Sequence, residues 1–462
     1  MVTTPSSPRT ARDFFNGLLV RGSAGPAGAD PSEFAPAIKP RRFLATPSYL
    51  RLWFAGGIGN AMRWLELLVA GIFTYEATQS TVMVALVTVA RSLPMLFIGT
   101  IAGVVGEALN RKRLLVTQLF VMAVSSAVLC ALAFSAEIRV WHIALGGIVA
   151  GIVWAMELAV RRRMIGEVVR PDQVAPAVAF DSLTSSFARV LGPLAGGAAY
   201  QSLGLGGAYL LSAALYLVAG LTAIGLDFRQ EARKLRFGRI AIDIAEAAAV
   251  ARANPAILAV VLVSIIMNMF AFSYSALIAP IGLDVYRVSP ILVGALAAAE
   301  PLGAIAVGIP LATGWLRLSG HRALLRGSLL FLVGLAAMAL SPWYSLAFVL
   351  LLIGGLGTAA FSNMQTTLIL TEAPPAARSR VMGIVTMCIG TGPVGVMMIG
   401  ILSGQVGPPV AILIVAGLGL WGLRLVWRKL IKAQAEEHRG GIDPPCARVI
   451  SDFTRFHRRF HR

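Results

Sequence analysis

Long apolar stretches recur from residue 49 to residue 427 and are separated by short polar segments. A helix needs about 20 mostly apolar residues to cross a hydrocarbon core of about 30 Å. The pattern predicts membrane-spanning helices with these bounds: 49–76, 82–105, 114–135, 140–160, 173–200, 207–226, 256–281, 290–314, 323–341, 344–370, 379–402 and 409–427. We therefore expect an all-α integral membrane protein with twelve transmembrane helices.

A polar connector divides the predicted spans into two sets of six. The sets resemble each other weakly, because Gly192-Pro193 in span five has a counterpart in Gly392-Pro393 in span eleven. A doubled helical unit is typical of transporters, in which two bundles move around a shared site near the midplane. The predicted organisation is a disordered cytoplasmic segment 1–44, a bundle 45–226, a cytoplasmic linker 227–255, a bundle 256–430 and a basic cytoplasmic tail 431–462. Residues 240–252 form either an amphipathic surface helix or a solvated linker.

Composition and charge support a membrane location. Hydrophobic residues make up 57% of the chain and charged residues only 13%, against about a quarter in soluble domains. The net charge of +18 is concentrated in alternate connectors, whereas the connectors on the other side hold only Arg139 and Arg287. The positive-inside rule then places both termini in the cytoplasm. The charge indicates topology, and we expect a lipid partner and no nucleic acid.

Several chemical classes are not supported by the sequence. Cys130, Cys388 and Cys446 are far apart, so neither a disulfide framework nor a metal site is expected. The phosphate-binding pattern G-x-x-x-x-G-K-[ST] does not occur in the sequence, which favours ion coupling over ATP hydrolysis. His142 and His321 stand alone at loop edges, unlike the clustered groups of a membrane enzyme. We expect a non-enzymatic protein without a cofactor.

Charged side chains occur inside the predicted spans, where each costs about 3 kcal/mol on insertion scales and needs a reason. The candidate proton-coupling residues are Glu66, Asp181 and Glu300, and their candidate charge partners are Arg63, Arg91 and Arg189. Glu66 is either a proton carrier or the structural partner of Arg63 or Arg91. Asp181 and Arg189 either face a cavity or form an ion-pair network with Arg91.

For two further acidic residues, the sequence allows more than one role. Glu300 precedes Pro301 and is either a coupling or cation-binding residue or a packing residue at the proline kink. Glu157 lies one turn before Arg161 near the cytoplasmic boundary, which favours a local ion pair. Uncharged groups suited to a substrate cavity, or alternatively to hydrogen bonds between helices, are Trp64, Asn268, Tyr274, Asn363 and Gln365.

Two motifs resemble those of the major facilitator superfamily. The segment from Gly103 to Arg113 resembles its loop signature G-x-x-x-D-x-x-x-R-[KR]-[KR], with Glu107 in place of the usual aspartate. Arg189 to Gly197 is similar to the G-P-x-x-G-G antiporter motif of that superfamily's exporters. Arg91-Ser92-Leu93-Pro94 and the late segment from Asn363 to Gly383 extend the resemblance to its drug and siderophore exporters, which include enterobactin and macrolide efflux carriers. The resemblance covers residues 45–425.

The resemblance implies a fold and a set of roles. The fold would be two pseudo-symmetric six-helix bundles, the major facilitator fold. A cytoplasmic gate would comprise Gly103, Glu107, Arg111, Arg378 and Arg380, with Glu107 latching onto Arg378 or Arg380. Hinge or packing residues would be Gly192, Pro193, Gly196, Gly197, Gly392 and Pro393. The corresponding second-half loop, from Gly314 to Arg322, lacks a carboxylate.

The resemblance also implies a function. It indicates a monomeric secondary active transporter of a bacterial inner membrane, which exports an amphipathic small molecule such as a drug or siderophore by alternating access, coupled to protons. An uncoupled facilitator, an importer of a small metabolite and a non-transporting sensor whose basic tail carries the signal are the alternatives.

Overall fold

The computed structural model describes residues 44, 46–108, 110–228, 249–312, 315–316, 318, 320–374 and 378–440. Within these ranges, side chains are described except those of residues 96–108, 158–159, 162, 312, 379–380, 386 and 432–440. The predictions for the terminal segments, Cys446, most of the linker and the side chains of Glu107 and Arg380 therefore lie outside the described residues. The described part of the chain is helical and contains no strand.

Five helices form the first half of the chain. They are α1 (Pro47–Thr78), α2 (Thr81–Ala108), α3 (Arg111–Phe134), α4 (Val140–Val168) and α5 (Val174–Ile224). The last of these is 51 residues long and is broken at Gly204, whose φ of 68° is a conformation that glycine adopts at little cost. The break separates predicted span five from predicted span six.

The second half begins with an irregular segment, α6 (Pro255–Val285). After Ile266 it continues as a π-helical turn, Met267–Ala271, and a 3₁₀ stretch, Phe272–Leu277. The remaining helices are α7 (Pro290–Ala312), α8 (Gly320–Ala339), α9 (Tyr344–Glu372), α10 (Arg378–Ile389), α11 (Gly392–Val406) and α12 (Pro408–Gly440). Predicted span eleven is thus interrupted at residues 390–391, and Pro393 lies in the first turn of α11, where its missing N–H costs no hydrogen bond.

Nine described segments are long and apolar enough to cross a membrane. One of them, Pro171–Ile224, contains the break and so holds two predicted spans. The first two predicted spans correspond to α1 and α2, and the described apolar part of α2 is Thr81–Met95. Every predicted span therefore falls on a helical segment, and the predicted all-α membrane fold is confirmed.

Buried apolar side chains form two main clusters, one in each half. The first extends from Tyr49 to Leu226, and the second runs from Val250 to Leu430 and includes Leu68 and Ile72 of α1. Large apolar side chains such as Val124, Leu221 and Trp421 are exposed on the outer surface. That distribution suits a protein surrounded by lipid, which is as apolar as the side chains it meets.

The two halves touch along α2–α11 and α5–α7. Thr81 Oγ1 donates a 3.3 Å hydrogen bond to the Gly400 carbonyl, and a Cβ on Gly197 would lie 2.3 Å from the Pro290 carbonyl oxygen. These contacts cluster near the connectors at residues 79–80, 204, 286–289 and 407. The halves are therefore closed against each other at that end.

Candidate functional site

A cavity of about 180 Å³ lies between the two halves. The first half contributes Arg63, Trp64, Leu67, Thr88, Arg91, Ser92, Met95 and Trp154 to its wall. The second half contributes Asn268, Phe272, Ser273, Ser275, Ile389, Gly390, Gly392, Pro393 and Val396. Two of the five cavity residues expected from the sequence, Trp64 and Asn268, therefore line it.

Interrupted helices form the second-half wall. The irregular turns of α6 carry Asn268 and Phe272, and the break between α10 and α11 brings Gly390 and Gly392 to the cavity. Transporter sites near the membrane midplane are commonly built from such discontinuous helices. Asn268 is oriented by a 2.8 Å hydrogen bond from its Nδ2 to the Ser264 carbonyl.

Arg63 is held on the opposite wall by contacts from two helices. Its Nη1 donates a 3.0 Å hydrogen bond to Asn60 Oδ1, and its Nη2 forms an ion pair with Glu157 of α4. Its guanidinium carbon lies 5.6 Å from the ring centroid of Trp154. Glu157 Oε1 also lies 3.4 Å from Arg161 Nε, so the local ion pair expected from the sequence is present.

Glu66 is buried behind this wall, inside the first half. Its Oε1 accepts hydrogen bonds from Ser126 Oγ at 2.6 Å and Ser212 Oγ at 2.5 Å. Its Oε2 lies 4.0 Å from Nη1 of Arg91, whose Nη2 donates to the Arg63 carbonyl at 2.9 Å. Of the two partners considered for Glu66, the structure pairs Arg91 with it, because Arg63 turns to Glu157.

One described ion pair joins the two halves. Arg189 Nη2 on α5 lies 2.6 Å from Glu300 Oε2 on α7, and Thr358 Oγ1 on α9 donates to Glu300 Oε1 at 2.6 Å. The Arg189 guanidinium also lies 5.5 Å from the ring centroid of Trp64 in the cavity wall. Asp181, about two helical turns earlier on α5, pairs with Arg161. Asp181 and Arg189 therefore do not form the ion-pair network with Arg91 that was one of the two alternatives from the sequence.

The other expected cavity residues lie elsewhere. Tyr274 is buried with its ring edge-on to Phe331 at 5.9 Å between centroids. Asn363 donates to the Ala359 carbonyl of its own helix at 3.0 Å, and Gln365 donates to Ser264 Oγ at 2.6 Å. None of these three residues is among those that line the cavity.

Sequence reasoning did not select the aromatic wall residue Trp154 or the polar wall residues Thr88, Ser92, Ser273 and Ser275. Trp154 lies three residues before Glu157 and so shares its helix face. That spacing was a usable signal. Thr88 and Ser92 each donate to a carbonyl four residues earlier, at 2.8 and 2.9 Å, a pattern that is common in apolar helices and carries little information about a cavity.

The gate motif is described in part. Arg111 is buried and forms an ion pair with Glu167 of α4. Arg378 Nε donates to the Ala373 carbonyl at 3.2 Å. Because the side chains of Glu107 and Arg380 lie outside the described residues, the proposed latch stays a prediction.

Motif glycines allow helices to approach closely. A Cβ on Gly192 would lie 2.6 Å from the Ala61 carbonyl oxygen, and one on Gly196 would lie 3.0 Å from that of Leu65. The first distance is shorter than real Cβ contacts, and the second is tighter than most of them. Gly392 leaves more room, with the Asn268 carbonyl oxygen at 3.9 Å from the position of a Cβ. Gly392 therefore has more room for a side chain than Gly192, whereas a Cβ on Gly395, also in α11, would lie 1.9 Å from the Met269 carbonyl oxygen.

Besides the ion pairs, thiols and possible metal ligands occur among the described residues. Cys130 and Cys388 are buried free thiols. Within the described residues, the His, Cys, Asp and Glu side chains form no group of three or more that could hold a metal ion. A cavity enclosed by two helical halves, with charged groups inside the bilayer, is the architecture of a membrane transporter.

Comparison with known proteins agrees with this class. Residues 39–443 match the family described as transmembrane secretion effectors. The chain belongs to this family of the major facilitator superfamily, and it is a membrane transporter rather than an enzyme. No curated protein matches the chain.

Solved transporter structures share the fold. A bacterial homologue of the human lysosomal transporter Spinster, inward-facing and unoccupied, is 16% identical with a TM-score of 0.67, over 85% of this chain and 98% of that one. A peptide transporter in complex with sulfate is 12% identical with a TM-score of 0.68, over 87% and 98%. A nucleoside transporter is 13% identical with a TM-score of 0.62, over 83% and 99%. These similarities support the major facilitator fold.

Proposed function

We propose that this transporter exports an amphipathic small molecule by alternating access and that protons drive the export. The observation that carries the proposal is the ion pair between Arg189 and Glu300, because it joins the two halves that alternating access must move. A carboxylate at such a position can bind and release a proton in step with that movement. The resemblance to drug and siderophore exporters supports the direction of transport.

The proposed coupling step begins with the halves closed at the end near Gly204. Binding of the cargo from the cytoplasmic side moves the halves, opens the cavity at the end near Gly204 and separates Arg189 from Glu300. The carboxylate of Glu300 then takes up a proton from outside, which removes its negative charge. The hydroxyl of Thr358 can rotate and accept a hydrogen bond from the protonated carboxyl group, since a hydroxyl both donates and accepts. After the cargo leaves and the halves return, loss of the proton to the cytoplasm restores the pair with Arg189.

Glu66 and Asp181 have different roles in this proposal. Both pair within the first half, Glu66 with Arg91 and two serines and Asp181 with Arg161. Such contacts do not change when the halves move as rigid units, so we assign them to holding the bundle together. Glu66 remains the second candidate for the proton, since it lies next to Arg91, which lines the cavity.

Transport into sealed vesicles tests the proposal. Purified protein is reconstituted in liposomes, and uptake of a fluorescent amphipathic dye is followed under an imposed pH gradient. We expect gradient-driven accumulation by the wild type and by Asp172→Asn, an exposed control. Glu300→Gln is expected to bind the dye and equilibrate it without accumulation.

Other outcomes separate the alternatives. Wild-type accumulation that survives in Glu300→Gln but not in Glu66→Gln would move the proton site to Glu66. Equilibration by the wild type, with no response to the gradient, would favour the uncoupled facilitator. A folded wild type that moves no dye would contradict export of amphipathic molecules and favour a narrow metabolite importer or a sensor.

The cellular setting is part of the proposal. We assign the protein to a bacterial cytoplasmic membrane, as a monomer with both termini inside. The two bundles would be residues 45–226 and 256–430, which agrees with the division of the buried apolar clusters. The latch of Glu107 with Arg378 or Arg380 would close the cytoplasmic end when the opposite end opens.

A further inference from the structure

We infer that the cavity binds an organic anion that carries a flat aromatic ring. This inference names the substrate class of the proposed exporter and so rests on the proposed function. It comes from the charges and rings that the two halves present to the cavity.

The charged residues in the cavity wall are Arg63 and Arg91. The carboxylates that balance them lie on the other side of the wall. Glu157 lines a separate cavity of about 10 Å³ and Glu66 one of about 20 Å³, and neither lines the large cavity. Among the described residues, the wall therefore presents guanidinium groups and no carboxylate.

Arg63 retains capacity to bind an anion. A guanidinium has five N–H donors in a planar fork that matches a carboxylate or phosphate. Asn60 and Glu157 use one Nη donor each. The side chain is held from both helices and stacks on Trp154, so a ligand would meet a guanidinium that is already oriented. Pre-orientation lowers the entropy cost of binding.

Aromatic faces accompany the cations. Trp64 and Trp154 belong to the first-half wall, and Phe272 belongs to the second-half wall. Each tryptophan has an arginine over its ring, at 5.5 Å for Arg189 and 5.6 Å for Arg63. A flat ring can contact these faces while its acidic group reaches Arg63. Contacts with both halves at once would let such a ligand respond to their movement.

A cationic amphiphile would have the same apolar contacts but would meet like charges. In a site with little water, repulsion between like charges is much stronger than in bulk solvent. The wall thus discriminates by the sign of the ligand's charge. A neutral ligand of the same shape is expected to bind with intermediate affinity.

Three probes with one ring system test this. They are 1-naphthoate, 1-naphthalenemethanol and 1-naphthylmethylamine, which are anionic, neutral and cationic at neutral pH. Binding to purified protein is measured by isothermal titration without any gradient. We expect naphthoate to bind at least ten times more tightly than the amine. Equal affinities, tighter binding of the amine, or no binding of the three would overturn the inference.

A variant in which the ion pair is neutralised tests whether Arg63 binds the anion. The double variant Arg63→Gln/Glu157→Gln removes the cation without leaving its partner buried and unpaired. We expect its affinity for naphthoate to fall at least fivefold while its affinity for the alcohol stays the same. The exposed pair Arg170 and Asp172 provides the matched control, Arg170→Gln/Asp172→Asn, with unchanged affinities. Unchanged naphthoate binding in the cavity variant would exclude Arg63 as the anion site.

Folding of each variant is checked by thermal unfolding. If the double variant does not fold, Arg63→Lys replaces it. Lysine keeps the positive charge but lacks the planar fork of donors, so the affinity for naphthoate should fall at least threefold. The comparison of the three probes on the wild type needs no variant. Because binding is measured at equilibrium, a preference for the anion without gradient-driven transport would retain this inference and reject proton coupling. Gradient-driven transport of the cationic probe would retain proton coupling and reject the preference for anions.

Discussion

Arg189 and Glu300 are 111 positions apart in the chain, and their side chains meet at 2.6 Å across the boundary between the two halves. Glu300 accepts a second hydrogen bond from Thr358, so both carboxylate oxygens have partners from the protein. The side chain of Glu300 is only 4% exposed, whereas that of Arg189 is 35% exposed and its guanidinium carbon lies 5.5 Å from the ring centroid of Trp64. A single side chain of α7 thus connects the second half to the cavity wall of the first.

The first prediction concerns the stability of variants in which these two charges are exchanged. Arg189→Glu places two carboxylates together and Glu300→Arg places two guanidiniums together, so each variant should lose about 3 kcal/mol of stability. The double variant Arg189→Glu/Glu300→Arg restores the attraction and should recover at least half of that loss. Thermal unfolding in detergent measures all three. Additive losses in the double variant would mean that the two residues act independently.

The second prediction concerns the buried pair inside the first half. Glu66→Gln keeps an oxygen that can accept from Ser126 and Ser212 but leaves Arg91 without its negative partner. We expect a lower unfolding temperature, equivalent to about 3 kcal/mol. Addition of Arg91→Gln should raise the unfolding temperature again, because no uncompensated charge then remains. A double variant less stable than Glu66→Gln would show that Arg91 stabilises the bundle through other contacts.

The third prediction uses two motif glycines with opposite surroundings. A Cβ on Gly197 would lie 2.3 Å from the Pro290 carbonyl oxygen, whereas no atom of the described residues lies within 4 Å of one on Gly383. Gly197→Ala should therefore separate the halves at the closed end. Gly383→Ala should be neutral or stabilising by up to about 1 kcal/mol, from helix propensity.

Chemical labelling measures the separation. Ser275 lines the cavity, and Ser275→Cys in a variant without the native cysteines gives a single reporter thiol. An impermeant maleimide added outside intact cells should label this thiol several times faster with Gly197→Ala than without it. Gly383→Ala should leave the rate unchanged. Equal rates in all three proteins would show that the α5–α7 contact does not seal this end.

The fourth prediction concerns orientation, which follows from the charge of the connectors. Alkaline phosphatase is active only outside the cytoplasm, and it can be fused after successive connectors. Fusions after residue 137, 287 or 407 should be active, and fusions after residue 110 or 170 should be inactive. The reversed pattern would place both termini outside. Loss of alternation after one connector would locate a miscounted span.

The sequence allowed most of the fold to be predicted, because helix positions depend on local apolar length. The break at Gly204 follows from a glycine between two apolar runs, and the break before Pro393 lies at a predicted hinge. The π and 3₁₀ turns of α6 were not predicted. Their residues, such as Asn268 and Tyr274, have no local feature that interrupts a helix, and the irregularity depends on packing against neighbouring helices.

The charged residues illustrate what the sequence could not provide. Spacing suggested that Arg63 and Glu66 could pair on one helix face. The structure instead connects Arg63 to Glu157 and Glu66 to Arg91, because α2 and α4 bring their own charges to α1. The partner of Glu300 lies on the other half of the molecule and had no local signal. The embedded charges were therefore recognisable in the sequence as unusual, but their contacts depended on tertiary structure.

The pairing of the embedded charges has an electrical consequence. One elementary charge that moves through the membrane field gains or loses about 2.3 kcal/mol per 100 mV. In the described part of the first half, Arg63, Arg91 and Arg161 are balanced by Glu157, Glu66 and Asp181, and each pair moves with its own bundle. The rocking of such a bundle moves these three pairs without net charge across the field. Arg189 also belongs to the first half, but its partner Glu300 belongs to the second. We therefore expect any transient current to report the separation of Arg189 from Glu300 and the movement of the proton and the cargo, without a contribution from the three internal pairs.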